Sequence, residues 1–506
     1  MFNNISPNAR IVKNTLFLTL KQIIVLVITL VSTHVILGYL GVTDYGIYSA
    51  MMGSVTMFSF LQTAMGRSTR RYIAYAVGKG EERDMKRTFS SSVFAHFAFA
   101  ILIVVICEGL WFFYTKTSLS FVGERMSAAS WVFQFWILSF AIGEFRKPFE
   151  SEVIAHENME VMAFISVFEA LLKLSLVLLL KVIPFDSLIL YGLTILLVQM
   201  VNLFLFAAYC LRKYPETHNV MDMDVLLILK MYCVAFLILV GSSMAIAWGY
   251  VANIWVASFC GVAVLTARSV AMQMQEMAKG FVANFQLAVS PQITKTYATE
   301  NMGRMHNLVI SSSKFSLFLF LVFCIPLLLK AESILSLWTT SVTVYSVSFL
   351  RLFLIVMLVG LWQAVLNTAN IATGKLVHIL VFQLVSGLLP MLLLLPLSYW
   401  VLKEGLSPAL VFIIQIIVML VSLIVQLFII RWSIGLSLRK YCWEVFARGL
   451  AVSVLAAVLP VLVSVFLPLT VTSLIIVAVL SVVSVAVASY FVGLNKQEKH
   501  ILRHLF

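Results

Sequence analysis

From residue 12 to residue 494 the sequence is a succession of apolar runs, each about 20 residues or longer and separated by short polar intervals. A helix of about 20 residues crosses a bilayer's hydrocarbon core, and in lipid every backbone N–H and C=O must be paired within the spanning element. Repeated runs of this length therefore predict an all-α polytopic membrane protein. Composition agrees: 62% of the 506 residues are hydrophobic and only 11% charged, against roughly a quarter charged in soluble domains. No interval is long enough for a separate soluble domain. The first run follows Arg10 and Lys13, exceeds a signal-peptide core in length and lacks a small-x-small cleavage site, so it is read as an uncleaved first span.

Fourteen spans are placed at about 12–40, 46–66, 88–114, 131–155, 160–182, 187–210, 228–260, 265–290, 308–330, 346–372, 376–400, 408–431, 447–468 and 472–494. The net charge of +13 reflects where the bases sit, and nucleic acid is not an expected partner. Loops after even-numbered spans hold Arg67, Arg70, Arg71, Lys79, Arg83, Lys86, Arg87, Arg212, Lys213, Lys295, Arg304, Lys375, Arg431 and Arg439. The opposite loops hold little beyond Lys116, Arg125, Lys181, Lys330 and Lys403. The positive-inside rule then predicts that both termini are cytoplasmic. The six cysteines are scattered, without CxxC or histidine spacing, which points to neither disulfides nor a metal centre.

The halves echo each other at an offset of 220 residues. "RYIAYAVGKGEERDMKRTFSSS" (71–92) lies over "PQITKTYATENMGRMHNLVISS" (291–312), pairing Ile73 with Ile293, Met85 with Met305 and Ser91–Ser92 with Ser311–Ser312. "GV" at 41–42 falls on "GV" at 261–262, and the loop at Pro184 on that at Glu404. Six spans per half keep both halves in one orientation, the parallel-repeat plan of transporters with a substrate site between lobes. The domains are accordingly 1–220, 221–440 and an appended pair of spans with a tail, 441–506.

Charges within spans are costly, about 2.5–3.5 kcal/mol each on insertion scales, so those that persist are functional candidates. Span 4 ends in "GEFRKPFE" (143–150). The stretch 131–143 is about 20 Å of helix, too short to cross, which places the end of the span near Ala155 and leaves Arg146 and Lys147 inside it. Spacing pairs Glu144 with Lys147 and Arg146 with Glu150. Span 5 carries Glu169 and Lys173, span 8 Glu276 and Lys279, and span 1 Lys21 and His34. Arg268 and Arg351 open spans 8 and 10. Gln363, Asn367 and Asn370 form one polar helical face beside Trp362, side chains suited to sugar hydroxyls and rings or, equally, to holding helices together. The cations Lys21, Arg146, Lys147, Lys173, Arg268, Lys279 and Arg351 together suit an anionic ligand, since Arg grips phosphate oxygens in bidentate fashion. Glu144, Glu150, Glu169 and Glu276 are candidates for binding a coupling ion.

"YLGVTDYGIYSAMMGSVTMFSFL" after the first span, "RRYIAYAVGKGE", "NFQLAVSPQITKTYA", "LLLKAESILSLW" (327–338) and "ATGK" (372–375) resemble the polysaccharide-transporter family of the multidrug/oligosaccharidyl-lipid/polysaccharide (MOP) exporter superfamily, nearest its O-antigen flippase (Wzx-type) branch. The resemblance covers roughly residues 10 to 440. It implies two six-helix lobes and alternating access in a bacterial inner membrane. The implied cargo is an undecaprenyl-pyrophosphate-linked oligosaccharide for O-antigen, capsule or lipopolysaccharide synthesis, moved from the cytoplasmic to the periplasmic leaflet. It also implies H+ or Na+ as coupling ion, no other cofactor, and partners among polysaccharide-assembly proteins. Two alternatives stay open: a peptidoglycan lipid II-type flippase, and a cation-coupled multidrug antiporter on the same fold. An enzyme is not expected. The sequence holds no P-loop, nucleophile triad or metal cluster, and "DMD" (222–224) lies in a short loop.

Overall fold

The computed structural model describes residues 7–56, 58–117, 125–180, 183–218, 221–338, 344–466, 470–495 and 498–499. Every regular element among them is helical. In chain order these are α1 (Pro7–Thr56), α2 (Ser59–Lys79), α3 (Glu82–Thr117), α4 (Met126–Ala155), α5 (Met159–Leu179) and α6 (Ser187–Lys213). Then follow α7 (Val225–Cys260), α8 (Val262–Ala298), α9 (Met302–Leu329), α10 (Ala331–Trp338) and α11 (Val344–Thr373). The last are α12 (Leu376–Gln383), α13 (Leu389–Lys403), α14 (Ala409–Ile434), α15 (Leu438–Tyr441), α16 (Arg448–Phe466) and α17 (Val471–Ala488).

Twelve stretches among the described residues are long and apolar enough to cross a membrane. Two expected spans fall short, and they are α2 and α8, the helices loaded with Arg67, Arg70, Arg71 and Lys79 and with Arg268, Glu276, Lys279 and Lys295. The boundary expected after residue 40 is a break inside α1 at Gly41, with φ 69° and ψ 176°. The second expected span is therefore split between the end of α1 and the start of α2. Gly261, 220 residues on, has φ 86° and ψ 166°. This region is essentially restricted to glycine, so both halves use one residue type to break the chain in the same way.

Packing follows the same repeat. In the first half α4 packs on α6, α3 and α2; in the second, α11 packs on α14, α9 and α8. Each partner lies about 220 residues beyond its counterpart. Span 4 extends to Ala155 as one helix through buried Pro148, as its length requires.

The chain forms two compact units, one of residues 13–239 and one of residues 1–12 and 240–506. The first is built around Val132, Phe133, Ile137 and Tyr191 with Ile36, Ile47 and Tyr48. At one end of it Arg125 bonds to Asp44 and Asp186, the latter also capping α6 through the Leu188 and Ile189 N–H groups. Burial disfavours the Asp186 carboxylate, but Arg125 and the two N–H donors outweigh it and hold this group below the usual carboxylate range. The second unit includes α16 and α17, which pack on α9.

Candidate functional site: a cation-rich cluster in the first unit

Glu150 on α4 is the centre of the cluster. Lys147 donates to it at 2.9 Å and Arg146 lies 3.7 Å away, all three side chains being 13–22% exposed. Arg146 also donates to Gln199 of α6 at 3.4 Å and lies over the Phe206 ring. Arg70 of α2 and Lys21 of α1 stand in the field of the same carboxylate. Lys21 interacts with Glu169 as well, and Glu169 with Lys173 of α5; Arg67 lies close enough to Arg70 to repel it.

Four helices thus bring Lys21, Arg70, Arg146 and Lys147 toward Glu150, with Lys173 near Glu169 and Arg67 near Arg70. Like charges at close range in a low-dielectric setting are mutually destabilising unless an anion compensates them. The cluster is therefore a site with spare positive charge, suited to phosphate oxygens by the fork geometry of three arginines.

Sequence spacing gives the Arg146–Glu150 pair correctly but misassigns Glu144. Glu144 is fully buried and bonded to His96 of α3 at 2.7 Å, and His96 contacts Thr69 of α2 at 2.9 Å. Lys147 turns instead to Glu150, because Glu144 faces α3 where His96 claims it. Arg67 and Arg70, expected in a loop, belong to α2 and to the site. Their i, i+3 spacing was the available signal.

The second unit is organised differently. Arg268 is 3% exposed, sits over the rings of Phe353 and Phe412, and leaves Nε and Nη1 without hydrogen-bond partners. Glu276 and Lys279 are exposed and paired with each other at 2.9 Å, and Arg351 is exposed.

The polar face of α11 makes hydrogen bonds to neighbouring helices, the second of the two roles its side chains suit. Gln363 donates to the Met419 carbonyl, Asn367 accepts from Gln383, and buried Asn370 bonds to the His378 carbonyl and to Ser433. Trp362 packs edge-on against Phe446. These amides spend their hydrogen bonds joining α11 to α12 and α14, the cheapest way to satisfy polar groups between helices in lipid. The His34 side chain lies outside the described residues.

No protein-family model and no curated protein matches the chain in sequence. Solved structures do match in fold. A MATE in the bent conformation aligns with a TM-score of 0.71 over 85% of this chain and 96% of its own, at 13% identity. An outward-facing multidrug resistance MATE family transporter of the MOP superfamily gives 0.67 over 85% and 97%, at 15% identity. A MATE in the straight conformation gives 0.67 over 85% and 96%, also at 15%. This chain has the fold that these transporters share. At such identities the likeness is one of fold, and it meets the all-α polytopic architecture expected of the MOP superfamily.

Proposed function

We propose that this protein is an alternating-access membrane transporter that flips an anionic, lipid-linked oligosaccharide, its phosphate-bearing headgroup held by Arg70, Arg146, Lys147 and Lys21. The cargo class is an undecaprenyl-pyrophosphate-linked repeat unit, moved from the cytoplasmic to the periplasmic leaflet of a bacterial inner membrane. The observation that carries this reading is the excess of cations over Glu150 and Glu169 within one helical unit. A polyprenyl tail stays in lipid, so only the headgroup needs a charged path.

Multidrug export is the rival reading, favoured by the fold shared with a multidrug resistance MATE family transporter. A site with this charge balance repels lipophilic cations, which argues against it. For coupling we assign H+ to the buried Glu144–His96 pair, in preference to Glu276, which is exposed and neutralised by Lys279.

Binding separates the two readings. Undecaprenyl-pyrophosphate oligosaccharide should raise the thermal stability of the purified protein in a salt-sensitive manner, and a lipophilic cation should not. Arg70→Ala should weaken the lipid's affinity about 10- to 100-fold, the worth of one charge-assisted hydrogen bond at about 1.5–3 kcal/mol. Stabilisation by the cation and indifference to the anionic lipid would transfer the assignment to drug export.

A further inference from the structure

A second cluster of ionisable groups begins two residues beyond Glu150, at the end of α4. Glu152 occupies the last turn of α4 and His156 caps it, so i, i+4 spacing puts both on one face. Glu216 comes from a short 3-10 turn, Pro215–Thr217, that follows α6. His156 Nε2 is 2.7 Å from one Glu216 oxygen and 3.2 Å from Glu152 Oε1. The three potential donor atoms lie within 4.8 Å of one another. Glu152 is 1% exposed, and its carboxylate faces only the imidazole that Glu216 already engages at shorter range and the Glu216 carboxylate itself. A single imidazole N–H cannot satisfy two buried carboxylates, and an ionised carboxylate left unpaired in the interior is heavily penalised.

From this geometry we propose that Glu152, His156 and Glu216 form a binding site for a divalent transition-metal ion of the zinc type. Ligand atoms around a tetrahedral zinc with bonds of about 2.0–2.1 Å stand about 3.3 Å apart, close to the separations found here. A cation at the centre takes the Nε2 lone pair and one oxygen from each carboxylate, and it removes the repulsion between the two acids. The imidazole selects against Ca2+ and Mg2+, which favour larger all-oxygen shells.

The surroundings fix the ring as an outer shell does. His156 stacks on Tyr214 at 4.2 Å and 13°, and the Tyr214 hydroxyl accepts from Asn158 at 2.6 Å. The Cys210 thiol stands in the field of both carboxylates but is directed to the Phe149 carbonyl, leaving a fourth position to water. His156 is 25% exposed, which gives an ion access.

The turn itself is not what distinguishes the site. "HENM" (156–159) and "TENM" (299–302) build the same helix end, with Glu157 at φ 63° and Glu300 at φ 56°. In both, an N–H reaches back five residues: Asn158 to the Val153 carbonyl and Asn301 to that of Thr296. The second turn has Thr299 in the place of His156 and Lys295 in that of Glu152. The donor set belongs to the first alone, where a bound ion joins the end of α4 to the segment after α6.

The test uses untagged full-length protein stripped with chelator and titrated with Zn2+ in millimolar Mg2+. The expected result is one equivalent bound, with a rise in unfolding temperature. His156→Ala and Glu216→Gln should each weaken binding by at least about 100-fold, beyond the 10- to 100-fold typical of losing an outer-shell partner. Their folding is checked by thermal unfolding in chelator. X-ray absorption on the zinc-loaded wild type needs no variant and should report a nitrogen/oxygen shell at about 2.0–2.1 Å. No stoichiometric Zn2+ on the wild type, a sulfur-dominated shell, or undiminished binding in a folded His156→Ala protein would overturn the proposal.

Discussion

Gly387→Ala is expected to destabilise the second unit by about 3 kcal/mol or more, at the upper end of overpacking costs. Gly387 lies in the π-helical turn Leu384–Leu388 between α12 and α13, where the chain meets α7 backbone to backbone. A Cβ built there stands 2.6 Å from the Gly241 carbonyl oxygen and 2.9 Å from the Gly241 Cα. Neither atom is a side-chain end that can swing away, so a helix must shift. Gly241→Ala should cost less, because the added methyl meets the Gln383 side chain, which can rotate once it releases Asn367. Trimming that neighbour should therefore rescue Gly241→Ala in the double variant with Gln383→Ala, and should leave Gly387→Ala unrescued. Unfolding temperatures and folded yield in detergent decide the matter. Equal tolerance of alanine at both glycines would show that the close approach is not rigid.

Lys314→Met should cost about 3–5 kcal/mol, the range for breaking a buried ion pair from one side. Lys314 on α9 is fully buried, 2.6 Å from Glu498 and 3.6 Å from Glu444, which itself pairs with Arg448 at 2.8 Å. Glu498 is held further by Ser311 and by reciprocal bonds with Asn495, as in a helix capping box. Removing the lysine takes from Glu498 the cation 2.6 Å away and leaves Glu444 to Arg448 alone. The double variant Lys314→Met/Glu498→Gln should regain much of the loss, since replacing both charges is often close to neutral. Thermal unfolding of the three variants tests this. A single substitution without effect would mean that the pair adds nothing to stability.

The architecture was largely legible because lipid leaves the chain little choice. Apolar runs gave the helices, and the length argument placed the end of span 4 at Ala155, where α4 ends. The repeat emerged from pairs as slight as "GV", and Gly41 and Gly261 carry it in their backbone angles. Helix-to-helix partnerships were less accessible. Spacing names neighbours on one helix, whereas Glu144 found His96 on α3, 48 residues away, and Glu152 and His156 face Glu216, 60 residues beyond the latter. The α11 amides illustrate the same limit: a polar stripe reads alike whether it faces a ligand or another helix. Arg67 and Arg70 were hidden for a different reason, since basic residues at a span's end obey the positive-inside pattern whether or not they also bind.

The central claim, that the first unit's cations grip an anionic headgroup during transport, is tested most directly in proteoliposomes. The measurement is flipping of fluorescent undecaprenyl-pyrophosphate oligosaccharide by wild type, Arg146→Ala and Lys147→Ala, with Lys86→Ala, a lysine paired with Glu82 in the first turns of α3, as a charge-matched control. Inserted protein is quantified in each preparation. Rapid flipping by wild type and the control, with a loss of about tenfold or more in the two cluster variants, is the result this account predicts. Equal rates in all four would contradict it.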